Sequence, residues 1–267
     1  MSEPETVQLS VDAAVVYEQD FVPALFGQWA PRLADAVDVR PGDRFLDVGC
    51  GTGVVAREAA LRIGSGGRVV GFDLNESMLA VAKRMRPEIE WHQGDAIQLP
   101  FEDESFDALV SQFMLMFIAD RVGVIKEMWR VLAPGGRLAA AVWMAFERSV
   151  GDVALAEIAR RLIGDEAAES FKAPYVLGDE DELLELFHSA GIMDARVETR
   201  EGSFFFSSID EFVRVWVKGW VLADMDDDTY AALLKEAHTD LKHFCNDDGE
   251  IKMPMDALIV TAQKPRN

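Results

Sequence analysis

Short apolar runs alternate with helical hydrophobic spacing through the first half of the chain. The predicted strands are 44–48, 68–73, 89–93, 106–111 and 137–143, and the predicted helices between them are 53–63, 76–85 and 120–132. A regular order of strand and helix requires crossover connections, which make neighbouring strands parallel. We therefore predict an α/β fold with a doubly wound, mostly parallel sheet and helices on both of its faces.

The pattern changes after Trp143. Helical spacing returns at 153–162, from Asp179, from Ser208 and over 226–244, and strands are predicted at 195–206 and 257–263. These strands bring the predicted sheet to seven. The helices between 146 and 256 do not belong to a minimal nucleotide-binding fold, and we interpret them as a helical cap or insertion.

A glycine-rich turn follows the first predicted strand. Asp47 ends the strand, the turn runs over Gly49-Cys50-Gly51-Thr52-Gly53, and a helix begins just after it, with Thr52 as a possible cap. Glycines let a ligand lie against bare main chain, and the free N–H groups of a helix start favour an anion. Asp47 can accept hydrogen bonds from turn N–H groups or from a ligand amine, while Cys50 is interpreted as a small residue that fits the turn.

Acidic residues end the next two strands as well. Asp73 closes the run 68–73 and could accept two hydrogen bonds from the hydroxyls of a ribose. Asp95, in Gly94-Asp95-Ala96, offers a carboxylate next to an N–H group, a pair that could bind the edge of an adenine. These residues all follow strands, at the edge where open α/β sheets bind ligands.

Five motifs occur in a fixed order. They are DVGCGTG (47–53), GFD (71–73), GDA (94–96), LPFEDESFD (99–107) and LxPGG (132–136). The set resembles the class I S-adenosylmethionine (SAM)-dependent methyltransferases, in the small-molecule branch that includes the ubiquinone- and menaquinone-biosynthesis enzymes. The resemblance implies SAM as the cofactor and S-adenosylhomocysteine (SAH) as its product. It also implies a seven-stranded Rossmann-like sheet whose last strand is antiparallel.

The resemblance also implies a role for each motif residue. Asp47 and the turn of Gly49, Cys50, Gly51 and Gly53 would hold the amino-acid part of SAM, and Asp73 the ribose. The remaining expected contacts are Leu74 and Met78 on the adenine ring, Asp95 at its exocyclic amine, Ala96 at its ring nitrogen, Gln112 near the methionine part, and Tyr17 and Trp29 as lid residues.

This interpretation divides the chain into four segments. They are an N-terminal helical lid (1–40), the SAM-binding core (41–145), cap helices with the sixth strand on the substrate side (146–256) and the final core strand (257–267). Met114, Met116, Phe117, Trp143 and Met144 follow strands four and five and would face the methyl group. We therefore expect a small apolar or aromatic acceptor.

Composition narrows the possible partners. The formal net charge is −21, which repels phosphate backbones, so nucleic acid is not an expected partner. The chain contains no apolar run of membrane-spanning length, and its acidic N-terminus lacks the features of a signal peptide. The two cysteines and four histidines show no metal-ligand spacing. We predict a cytoplasmic enzyme without a metal, either a monomer or a homodimer.

The predicted reaction is direct in-line displacement at the methyl carbon, and no side chain is identified as a catalytic base. Three alternatives remain open at this point. One is a protein that binds SAM and transfers nothing, and another is an aminopropyl transferase that uses decarboxylated SAM. The third is an NAD-dependent oxidoreductase, against which the early third glycine at Gly53 and the turn Pro134-Gly135-Gly136 both count. The run Ser111-Gln112-Phe113-Met114 also differs from that of amino-directed nucleic-acid methyltransferases.

Overall fold

The computed structural model describes residues 10–266 and contains the predicted seven-stranded sheet. The strands are β1 Arg44–Val48, β2 Arg68–Asp73, β3 Glu90–Gln93, β4 Phe106–Gln112, β5 Leu132–Trp143, β6 Arg196–Arg200, β7 Ser203–Phe206, β8 Ile251–Pro254 and β9 Ala257–Gln263. The large sheet has the order β3-β2-β1-β4-β5-β9-β6, and β7 pairs with β8 in a second sheet. The prediction of a doubly wound α/β fold is confirmed.

Strand direction within the large sheet also follows the prediction. The neighbours from β3 to β5 are all parallel. Strand β9 runs in the opposite direction to β5. The Lys264 N–H donates to the Gly136 carbonyl near the start of β5, at 2.9 Å, whereas the Met144 N–H donates to the Asp256 carbonyl beyond its end, at 3.1 Å. The last strand is therefore antiparallel.

Helices surround the strands. The α-helices are α1 Val11–Val16, α2 Trp29–Ala36, α3 Val54–Ile63, α4 Glu76–Met85, α5 Arg121–Val131, α6 Val150–Leu162, α7 Asp165–Ser170, α8 Glu180–Ser189, α9 Ile209–Val213 and α10 Asp227–Asp240. Two π-helical segments, Tyr17–Phe26 and Arg214–Val221, directly continue α1 and α9. Short 3₁₀ turns occur at Gly64–Gly66, Leu115–Phe117, Phe146–Arg148, Ala173–Tyr175 and Lys242–Phe244. In the part of the chain that the structure describes, no helix combines the length and apolarity of a membrane span.

The chain forms two compact units. The first contains the large sheet and comprises the described residues up to Val142, Asp179–Glu198 and those from Leu258 onward. Its central strands are buried on both faces, as Phe45, Leu46 and Val110 show. Parallel strands covered by helices on both sides require this near-continuous apolar sequence.

The second unit comprises Trp143–Gly178 and Thr199–Ala257. Its β7–β8 ladder supplies Phe204, whose ring stacks on Phe212 with centroids 4.7 Å apart. The carboxylate of Asp152 lies in its core and accepts hydrogen bonds from several side chains.

The structure corrects three predicted elements in the second half. The predicted strand 195–206 is two strands in different sheets, because the Gly202 carbonyl accepts from the Met255 N–H and turns the chain between β6 and β7. Strand β8 was not predicted. The predicted helix 226–244 ends at Asp240 and is followed by a separate 3₁₀ turn.

The two units also differ from the predicted segments. The segment 146–256 does not stay together, since residues 179–198 group with the large sheet. Helix α8 packs against α5, and β6 pairs with β9 at the edge of the sheet. The predicted lid, 1–40, begins with residues that lie outside the described part of the chain.

Candidate functional site

The glycine turn between β1 and α3 is fastened to the end of β2. The N–H groups of Gly49 and Cys50 both donate to the Phe72 carbonyl, at 2.8 and 3.1 Å, and the Gly53 N–H donates to the Cys50 carbonyl at 2.8 Å. Gly49, Gly51 and Gly53 have φ of +72°, +54° and +84°, the left-handed region that glycine adopts at little cost. The main-chain hydrogen bonds therefore fix the conformation of the turn without a ligand.

Gly49 and Gly53 are required by packing. A Cβ atom at Gly49 would lie 2.6 Å from the Met114 side chain, and one at Gly53 would lie 2.2 Å from the Trp91 ring. The Trp91 ring is itself held by a hydrogen bond from its Nε1 to the Arg86 carbonyl, at 2.9 Å. These two glycines make room for side chains of the protein rather than for a ligand.

Gly51 differs from the other two glycines. A Cβ atom there would meet only Cε1 of Tyr17, 4.0 Å away, among the described residues. The main chain at Gly51 therefore borders open space. Its N–H donates to Oδ2 of Asp73 at 2.7 Å, and the other Asp73 oxygen accepts from the Asn75 N–H at 2.8 Å. Burial raises the pKa of Asp73, and these N–H groups oppose the shift.

Asp47 carries an oxygen with unused hydrogen-bonding capacity. The side chain is 1% exposed, and Oδ2 accepts from the Ala56 N–H at 2.9 Å, while Oδ1 has no hydrogen-bond partner among the described residues. Burial raises the pKa of Asp47 to about 7, and the nearby charge of Asp73 adds to the shift. A cationic donor would satisfy the buried oxygen and favour the ionised carboxylate.

Four further buried oxygens lack partners within the described chain. They are Oε2 of Glu18, Oγ1 of Thr52, Oγ of Ser111 and Oε1 of Gln112. Thr52 belongs to the turn, and Ser111 and Gln112 end strand β4. The expectation that Thr52 caps α3 was wrong, because Gly53 is the N-cap residue and no side chain caps it. Buried polar atoms without partners are rare in folded proteins, and here they indicate a site for a polar ligand.

The N-terminal helix brings an aromatic side chain to the turn. Tyr17 packs on the apolar cluster of Ala14, Met78 and Val81, and thereby joins α1 to α4. Burial raises the pKa of the Tyr17 hydroxyl, and the nearby charge of Asp73 raises it further. The structure thus brings together Tyr17, Met78, Gly51 and Asp73, which the sequence placed in one site.

A buried ion pair fastens the π-helical segment to the turn. Arg57 on α3 donates to Oε1 of Glu18 at 2.7 Å and to the Thr52 carbonyl at 2.6 Å. Both charged side chains are mostly buried. No local sequence pattern connects Glu18 with Arg57, so this ion pair could not be predicted from the sequence.

The remaining predicted residues lie at different depths. Leu74 is 38% exposed, whereas Ala96 is buried and Asp95 is exposed, with Oδ1 accepting from the Ile97 N–H at 3.0 Å. Trp29 is fully buried and packs edge-on against Phe113. Cys50 is buried within the turn, and burial raises the pKa of its thiol.

No metal cluster accompanies these residues. Within residues 10–266, no group of three or more His, Cys, Asp or Glu side chains could hold a metal ion.

Comparison with known proteins identifies the central segment. Residues 46–140 match the family described as "Methyltransferase domain". A demethylmenaquinone methyltransferase of Beutenbergia cavernae is 40% identical over 128 residues, which cover 46% of this chain and 52% of that protein. A 2-phytyl-1,4-naphtoquinone methyltransferase of Thermosynechococcus vestitus is 39% identical over 114 residues, covering 42% and 51%. The chain thus spans about half the length of the curated relatives that it matches.

Solved structures share the fold over a longer part of the chain. Phosphoethanolamine N-methyltransferase 2 of Haemonchus contortus, solved with phosphomonomethylethanolamine and SAH, aligns with a TM-score of 0.62 at 23% identity, covering 96% of this chain and 58% of that one. The cyclase SpnF aligns with a TM-score of 0.57 at 23% identity, covering 90% and 81%.

The sheet order and the turn after β1 define a protein with the class I methyltransferase fold. Residues 46–140 match the methyltransferase domain family, and the resemblance inferred from the five motifs is confirmed.

Proposed function

We propose that the protein transfers the methyl group of SAM to a small, apolar, aromatic acceptor and leaves SAH. The observation that carries this proposal is the open main chain at Gly51, whose N–H donates to the carboxylate of Asp73, in the turn that follows the buried carboxylate of Asp47. The matching domain and the names of the relatives support the same reaction.

The residues of the turn fit this cofactor chemically. The free Oδ1 of Asp47 suits an ammonium group, and a carboxylate such as Asp73 has lone pairs left to accept ribose hydroxyls beside its two N–H donors. Met78 offers an apolar surface for the adenine ring. Asp95, with Ala96 beside it, is accessible to the amine of the base.

When bound, SAM supplies a methyl carbon on a positively charged sulfur, which is already an activated leaving group. The protein then has to bind the two reactants, orient them and exclude water. Orientation alone supplies up to about 7–11 kcal/mol of the activation barrier in reactions of this kind. Tyr17 and the buried pair of Glu18 and Arg57 hold the N-terminal segment against the turn for this purpose. No dedicated base is needed where the acceptor itself is nucleophilic.

An aromatic acceptor is supported by two features. The relatives are named for demethylmenaquinone and for 2-phytyl-1,4-naphthoquinone. The loop after β4 is also apolar, with Phe113 and Met116 both buried beyond the partnerless oxygens of Ser111 and Gln112. Because SpnF has the same fold and is named a cyclase, the fold alone does not decide the reaction.

A transfer assay tests the proposal. Purified protein is incubated with SAM labelled on the methyl group and with a short-chain demethylmenaquinol, and the labelled product is identified by mass spectrometry. We expect methylated quinol and SAH in equal amounts. Tight SAH binding without transfer to the quinol or to any acceptor in a bacterial extract would favour a SAM-binding regulator. Retention on immobilised NAD with no affinity for SAH would favour an oxidoreductase.

Cofactor affinity should depend on pH through Asp47. Its folded-state pKa is raised from 3.8 to about 7, so the stability that its protonated form contributes at low pH is lost as the pH rises through 7. A bound ammonium group needs the ionised carboxylate, and binding below pH 7 must therefore release a proton. As the pH is raised toward 7, we expect SAH affinity to increase by up to about tenfold per pH unit, and above pH 7 we expect it to stay constant.

Calorimetry in buffers of different ionisation enthalpy measures the released protons directly. Asp47→Asn keeps an oxygen for the Ala56 N–H and should give an affinity that is weaker and independent of pH in this range. A wild-type affinity that is flat between about pH 5.5 and 8.5 would contradict the assignment of the amine to Asp47.

Asp73→Ala should weaken SAH binding by about 1–3 kcal/mol, which is about 5- to 150-fold. The variant loses the acceptor for the ribose and also the acceptor that fixes the Gly51 N–H. Asp107→Ala is the matched control, since Asp107 lies in the same sheet but pairs with Arg44 at the opposite end of β4. Titration calorimetry on folded protein measures both, and an unchanged affinity in Asp73→Ala would remove the ribose assignment.

Three further expectations from the sequence stay predictions. They are a cytoplasmic location, a monomer or homodimer, and the absence of a nucleic-acid partner.

A further inference from the structure

Phe113 directly follows the last residue of β4 and has an unusual backbone. Its φ is +53°, a region that bulky aromatic residues rarely adopt. The sheet holds it there, because Gln112 pairs with Ala141 of β5 and the Phe113 N–H donates to the Ala141 carbonyl at 2.9 Å. Strained backbone of this kind persists where the surrounding structure enforces it, and it is frequent at functional sites.

The ring of Phe113 is the first of a chain of aromatic contacts. It is 6% exposed and lies 5.8 Å from the Phe26 ring and 5.7 Å from the Trp29 ring, measured between centroids. Phe26 in turn stacks on Tyr17 at 5.1 Å, and Tyr17 borders the open space at Gly51. Aromatic side chains thus connect the end of β4 with the glycine turn through residues 17–29, which we call the lid segment.

The residue after Phe113 is fixed as well. The Met114 side chain occupies the space beside Gly49, where a Cβ atom would approach it to 2.6 Å. The left-handed turn at Phe113 therefore directs two successive side chains in different directions, one toward the lid segment and one toward the glycine turn. Gln112, with its partnerless Oε1, immediately precedes them.

We propose that Phe113 is a positioning residue that couples the lid segment to Gln112 at the end of β4. The lid aromatics already pack on the Phe113 ring. A cofactor that occupies the glycine turn therefore orders the lid segment and the end of β4, with the Gln112 amide, together. The inference rests on the proposed function, because it needs SAM or SAH as the ligand that is covered.

Three substitutions separate the ring from the backbone. Phe113→Gly keeps the left-handed conformation without strain and removes the ring. Phe113→Leu keeps an apolar side chain without an aromatic face, and Phe113→Tyr keeps the ring. Phe117→Leu is the matched control, because Phe117 lies in the same loop and is 52% exposed.

Hydrogen exchange followed by mass spectrometry measures the exchange rates of the lid segment and of the glycine turn in separate peptides, with and without SAH. In the wild type and in Phe113→Tyr we expect SAH to slow exchange in both regions. In Phe113→Gly and Phe113→Leu, SAH should still slow exchange in the glycine turn. Its effect on exchange in the lid segment should fall by at least about fivefold, which is the lower end of the coupling usually found between two sites. Thermal melting shows whether each variant is folded. If Phe113→Gly does not fold, the comparison of Phe113→Leu with the wild type tests the role of the ring.

Two outcomes overturn the inference in distinguishable ways. If Phe113→Leu protects the lid segment as well as the wild type does, the ring does not couple the two regions, although the cofactor proposal stands. If SAH protects neither region of the wild type, the proposed function fails and the coupling fails with it.

Discussion

Gly51→Val should abolish SAH binding while the protein stays folded. Gly51 is the glycine of the turn whose missing side chain leaves open space, since a Cβ atom there would meet only Tyr17 at 4.0 Å among the described residues. A branched side chain would enter the volume that the ligand needs, and we expect affinity to fall by at least about 2.7 kcal/mol, or a hundredfold. Calorimetric titration with SAH, after a thermal melt has shown a folded protein, measures the loss.

The left-handed backbone at Gly51 calls for a specific control. Valine at φ +54° is strained whatever the surrounding space, so some stability is lost in the variant. Gly64→Val also places a side chain at a positive φ, because Gly64 has φ +66° at the end of α3, and no described residue lies within 4 Å of its Cβ position. We expect Gly64→Val to melt at a lower temperature and to bind SAH normally. Normal binding by Gly51→Val would show that the ligand does not lie against this turn.

Asp152→Ala should lower the free energy of unfolding by about 3 kcal/mol or more. The Asp152 carboxylate is 1% exposed and accepts from Ser149 Oγ at 2.6 Å, from Tyr175 Oη at 2.5 Å and from Trp216 Nε1. Burial raises its pKa, while these three donors oppose the shift. The substitution removes an acceptor that three side-chain donors share, and a buried donor that loses its hydrogen bond costs about 1–3 kcal/mol.

Urea unfolding of Asp152→Ala beside Glu157→Ala measures this effect. Glu157 lies on the same helix, α6, with its side chain 54% exposed and paired with Arg160. Its removal should change stability by no more than about 0.5 kcal/mol. A loss below about 1 kcal/mol in Asp152→Ala would mean that Tyr175 and Trp216 find other partners.

The sequence by itself determined the core of the fold and the location of its candidate site. Strand and helix signals alternate locally, and crossover connections leave few topologies, so the parallel sheet from β3 to β5 could be predicted. Asp47, Asp73 and Asp95 each lie at or just after the carboxyl end of a strand, which placed them at the edge where open α/β sheets bind ligands. The strands β7 and β8 were missed because their ladder joins segments distant in sequence, and the turn at Gly202 depends on Met255.

Only the tertiary structure decided which glycine of the turn borders open space. Gly49, Gly51 and Gly53 look equivalent in sequence, but Met114 from the loop after β4 and Trp91 from β3 fill the space beside two of them. The raised pKa of Asp47 likewise depends on burial, which local pattern does not encode. Close packing joins residues that are far apart along the chain, and therefore the chemistry of the site appears only when the chain is folded.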